Sequence, residues 1–125
     1  MKFFSVHEAN QLIPHVEANL NEIKAAIQDL EALRLEVLNK RPRGVRAINI
    51  SQEIGFLLSY VRDMTMELEN MGILLHDLEA GSVNFPSQLG SEIVKLHWAQ
   101  GQNHIAFYVK PGHDELIPLP REARV

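Results

Sequence analysis

VHEANQLIPHVEANLNEIKAAIQDL, residues 6–30, decides the fold. Val6, Ala9, Ile13, Val16, Leu20, Ile23, Ile27 and Leu30 recur in it at steps of three and four. That spacing is the apolar seam of a helix, and a second helix must cover it. Ala47, Ile50, Ile54, Leu57, Val61, Met64, Leu68 and Met71 repeat the same steps further on and supply the cover. The two segments together predict a long antiparallel helical hairpin of coiled-coil type over about residues 5–71.

Ser5 followed by Glu8 is a capping box, in which each side chain satisfies the other residue's free backbone amide. Pro14 lacks an amide and crowds the carbonyl of Asn10, so the expected form is a short helix over 6–12 turning into a long one over 14–39. The second helix is expected to begin between Ala47 and Ser51 and to end at Asn70 or Met71, with Gly72 in the left-handed region. Leu12, Ala26, Leu33, Leu58 and Thr65 widen both stripes beyond a simple seam. Stripes that wide suit contact with a sheet or with another copy of the chain.

From Gly72 the period changes to two and turn residues appear at short intervals. Ile73–Leu78, the short piece Val83–Phe85 stopped by Pro86, Ile93–Trp98 and His104–Val109 read as strands of a small antiparallel sheet of two to four strands. Val94, Leu96 and Trp98 share one face of their strand, with Ile93, Lys95 and His97 on the other. Ile105, Phe107 and Val109 likewise oppose His104, Ala106 and Tyr108. Gln100 to Asn103 is the turn between these last two strands, and residues 111–125 form an extended tail in which Leu116, Ile117 and Leu119 can dock. The fold class is therefore α+β: one domain over 1–125, with the hairpin first, a β-rich part over about 73–110, and the tail.

A chain of 125 residues with 46% hydrophobic and 22% charged residues suits one globular domain. Cysteine is absent, which removes disulfides and thiolate metal sites and fits a reducing compartment. No run approaches a membrane span, and the first residues carry no apolar signal core, so the expectation is a cytoplasmic protein. A net charge of −4 gives no general pull toward nucleic acid or acidic lipid.

Two blocks carry a resemblance. Phe4 to Pro14, with Glu8-Ala9-Asn10, Leu12 and Pro14, together with Asp77-Leu78, Gly81, Val83, Phe85-Pro86 and Trp98, resembles a bacterial family known as the domain of unknown function DUF2203. The resemblance implies a helical hairpin joined to a small sheet and no established activity. It also implies a last strand ending in Trp-His and a Gly-Phe…Gly-Arg tail. Tyr108-Val109 and Gly112-His113…Glu115-Leu116 stand there instead, so a site built on that His and Arg is not carried over.

No Ser/His/Asp order, phosphate-cradling glycine loop or dinucleotide fingerprint is present. Two groups of residues are left as candidates. His76, Asp77, His97, His113 and Asp114 are the histidine and carboxylate ligands a small sheet can gather around zinc or another divalent ion, for binding or metal-assisted hydrolysis. Against that, Asp77 stands before a tight turn where its carboxylate serves backbone amides, and alternation turns it away from His76. Lys40, Arg41, Arg43 and Arg46 at the hairpin tip form an anion-binding or nucleic-acid-binding group, or simply the favourable charge of a helix C-terminus. The leading expectation is a non-enzymatic interaction or scaffold module that associates with itself as a dimer through leftover apolar helix surface.

Overall fold

A computed structural model describes residues 2–124. Helix α1 runs from Val6 to Lys40 and helix α2 from Val45 to Asn70. Strands β1 (Leu74–Asp77), β2 (Ser82–Leu89), β3 (Glu92–Ala99), β4 (Phe107–Val109) and β5 (Ile117–Pro118) follow, with a final 3-10 turn at Arg121–Arg124. The five strands pair antiparallel in sequence order, each with the next. The protein is α+β, a helical hairpin on an antiparallel meander.

The start of α1 is the capping box: Ser5 Oγ accepts from the Glu8 amide at 3.0 Å, and Glu8 Oε1 accepts from the Ser5 amide at 3.1 Å. No break follows at Pro14, which sits exposed inside one continuous helix of 35 residues. Ala9, Ile13, Val16 and Leu20 lie on both sides of the proline and are buried in one core, so packing holds the helix through it. The seam holds to Ile23 and then drifts: Ala26 and Leu33 are buried while Ile27 is exposed. A straight helix of 3.6 residues per turn rotates about 20° per heptad against a repeat of 3.5, which moves the buried line onto Ala26 and Leu33.

α2 begins two residues earlier than expected. Gly44 is its N-cap, at φ 64°, with no side chain capping the first turn. Its end is a Schellman motif: Gly72 takes φ 88°, and the Ile73 amide reaches back to the Leu68 carbonyl at 2.9 Å. Leu68 and Ile73 both enter the core.

The main core lies between the first half of the hairpin and one face of the sheet, where Val16, Leu20 and Leu68 meet Val83, Phe85, Leu96 and Trp98. Ala26, Leu33, Ile50 and Leu57 form a second, smaller cluster between the two helices alone. The distal half of the hairpin therefore extends past the sheet.

The sheet is larger than expected, and β2 does not stop at Pro86. The Pro86 carbonyl accepts from the Phe4 amide at 2.8 Å on the edge beyond the end of β1, so the missing proline amide faces the same open edge. A seven-residue connection joins β3 to β4, and within it Ile105 is buried, its amide held by Asn10 Oδ1 at 2.7 Å. The pairing of His97 with Phe107 and of Lys95 with Val109 puts Phe107 and Val109 on the face turned away from the helices. Tyr108, opposite Leu96, is the β4 residue on the core side.

Candidate functional site

That outer face carries the first candidate. β2 and β3 pair Asn84 with His97 and Pro86 with Lys95, so all four side chains stand on the same side. His76 comes from β1 at an irregularity in its pairing with β2. Lys110, Gly112, His113, Asp114 and Leu116, from the segment between β4 and β5, complete a cavity of about 280 Å³.

His97 is its most buried titratable group, 9% exposed. Its Nδ1 lies 3.0 Å from Asn84 Oδ1, so the ring donates there and keeps Nε2 as its remaining polar atom. The His76 ring stands edge-on to it, centroids 5.6 Å apart at 85°. Burial, and then the neighbouring His76, hold the His97 pKa below the ordinary histidine value. Lys95 is half-buried, and among the described residues neither Lys95 nor Lys110 has a carboxylate in ion-pair reach.

Of the five residues singled out as metal ligands, His76, His97, His113 and Asp114 line this one cavity. Asp77 does not. Its Oδ1 accepts from the Glu79 and Ala80 amides at 3.0 and 3.2 Å, which is the turn role expected of it. Among the described residues no three His, Asp or Glu side chains are grouped so as to hold one ion. Asn84, Lys95 and Lys110 were absent from the candidates read in the sequence. Alternation alone put Lys95 beside His97, but Asn84 joins them only through the strand register, and Lys110 only through the path of the loop.

The hairpin tip is the second candidate. Arg46 is committed to Glu36 by a two-pronged contact of 2.6 and 2.7 Å, which holds the Glu36 carboxyl below its ordinary value. Arg41 is the left-handed C-cap of α1, at φ 45°. Lys40, Arg41 and Arg43 are exposed, and no ion pair engages them among the described residues. Val37, Arg41, Arg43, Ile50 and Ile54 line a groove of about 550 Å³ here.

From the tip along the outward side of α2, Val45, Ile48, Gln52, Gly55 and Ser59 recur at steps of three and four with no charge among them; Arg62 stands at the next step and Met66 four residues after it. Val45 is 73% exposed, Ile48 58%, and Phe56, beside the stripe, 67%. A methyl group added at Gly55 would touch nothing in the chain.

A helical hairpin laid on a five-stranded meander, with a polar cavity on the outer sheet face and an uncharged stripe on the projecting half, defines the architecture. The chain belongs to the DUF2203 family, described as an uncharacterized conserved protein, whose model matches residues 2–114. No curated protein and no solved structure matches it.

Proposed function

We propose that the protein is a non-enzymatic scaffold module that associates with a second copy of itself through the outward stripe of α2. The uncharged helical line from Val45 to Ser59, with Ile48 and Phe56 standing in water, is the observation that carries this reading. Soluble monomers rarely leave such a patch uncovered. Gly55 adds to it. A glycine in mid-helix costs about 0.5–1 kcal/mol relative to alanine, and nothing in the chain itself asks for one, whereas a close-packed second helix does.

Charge supports a second copy as the occupant. Lys40, Arg41 and Arg43 stand before the stripe begins, and Glu69 lies at the opposite end of α2. In an antiparallel pair related by a twofold near Gly55, the basic tip of each copy lies along the acidic end of the other. The same axis sets Val45 of one copy near Met66 of the other. On this reading Lys40, Arg41 and Arg43 serve the pairing and not nucleic acid. The absence of cysteine supports a cytoplasmic setting, and no helix among the described residues is long and apolar enough to cross a membrane.

Sedimentation equilibrium tests the proposal. The expected result is a dimer at tens of micromolar that the double variant Ile48→Ser, Phe56→Ser converts to a monomer of unchanged helicity, since both side chains are exposed. A wild-type monomer throughout that range refutes it.

A further inference from the structure

We propose that the cavity on the outer face of the sheet binds a small oxyanion, a phosphate group or a carboxylate, between Lys95 and Lys110. The chain as a whole is acidic, at −4, yet this lining holds two lysines and one carboxylate and is positive even with its histidines neutral. Lys95 is half-buried, and no ion pair engages its ammonium among the described residues, so its charge is open to a ligand in the cavity. The same two ammonium groups repel a divalent cation, and only Asp114 offsets them.

Hydrogen bonding fits the anion as well. With Nδ1 engaged by Asn84, His97 presents Nε2 as its remaining polar atom. With Nδ1 donating to Asn84, the ring donates to an oxyanion from Nε2 in its protonated form, a charge the bound anion favours. His113 follows a turn closed by its own amide on the Lys110 carbonyl at 3.0 Å, which keeps the Lys110 and His113 side of the cavity in place before any ligand arrives. The cavity has a volume of about 280 Å³. That admits phosphate, a phosphate monoester or a small dicarboxylate.

Titration of the full chain with inorganic phosphate and, separately, with malonate, followed by amide and histidine-ring NMR shifts, tests the site. Saturable shifts centred on Lys95, His97 and His113 are expected with at least one probe. Phosphate alone identifies a phosphoryl ligand and malonate alone a carboxylate. Lys95→Met should weaken binding by about tenfold or more, the loss of a charged hydrogen bond. Lys110→Met, at an exposed position, repeats the test if the first variant folds poorly. Arg34→Ser, on the exposed side of α1, should change nothing. The proposal is overturned if neither anion gives saturable shifts, or if both lysine variants bind as the wild type does. It is equally overturned if zinc chloride binds stoichiometrically at these histidines while the anions do not.

Discussion

At Gly81 the backbone takes φ 67°, and Gln100 lies directly above it, its amide bonded to the Gly81 carbonyl at 3.0 Å. Gln100 also ties the end of β3 to α1, accepting from Lys24 Nζ at 2.5 Å and donating to Asn21 Oδ1 at 2.8 Å. Gly81→Ala should therefore cost about 1–2 kcal/mol from the left-handed backbone alone, read as a lower urea midpoint. More comes from the displaced Gln100. His97 gives a pH signature. His76 on β1, Lys95 on its own strand, and Lys110, His113 and Asp114 on the covering loop share its cavity. Its folded pKa lies below the ordinary value, so between the two the unfolded chain binds the proton more readily. Stability should fall as the pH drops through about 6.5, and His97→Gln should flatten that fall in urea melts.

Helix α1 carries a proline and a buried asparagine in its interior, and each predicts its own change. Pro14→Ala restores an amide to a continuous helix at an exposed site, so the thermal midpoint should rise, by up to about 3 kcal/mol in stability. A lower midpoint would mean that the proline is needed where it stands. Asn19 is buried between the helices, its Nδ2 shared by the Met64 carbonyl at 3.0 Å and Glu67 Oε2 at 3.2 Å. Among the described residues its Oδ1 has no partner. A polar group so placed favours one helix register over its neighbours at some expense in stability. Asn19→Leu should leave the hairpin as stable or more so while broadening its amide NMR spectrum, the mark of a register no longer unique.

The whole molecule has two bodies of packing of unequal strength. One is the layer of sheet and helix around Trp98; the other is the two-helix extension around Ile50 and Leu57. Amides over 27–54 should exchange with solvent faster than those over 6–23 and in the strands, because only one partner helix covers them. If the stripe on α2 is an interface, that protection should rise with protein concentration, and added salt should reduce it by screening the tip against the acidic helix end. Protection independent of both would leave the extension a free arm.

The hairpin was legible in the sequence because a seam at steps of three and four has one physical solution, and Ser5 with Glu8 marked where it starts. The Asx turn at Asp77 and the terminator at Gly72 were equally local, each fixed by the chemistry of a few adjacent residues. Pro14 misled because tertiary burial on both sides of a residue outweighs its own preference. Pro86 misled because the cost of a missing amide depends on whether that edge of the strand is paired, which no stretch of sequence states. The cavity belonged to tertiary structure altogether. Histidines and lysines far apart in the chain share a face only after strand register and loop path are set, and those are fixed by the packing of the sheet on α1 and α2.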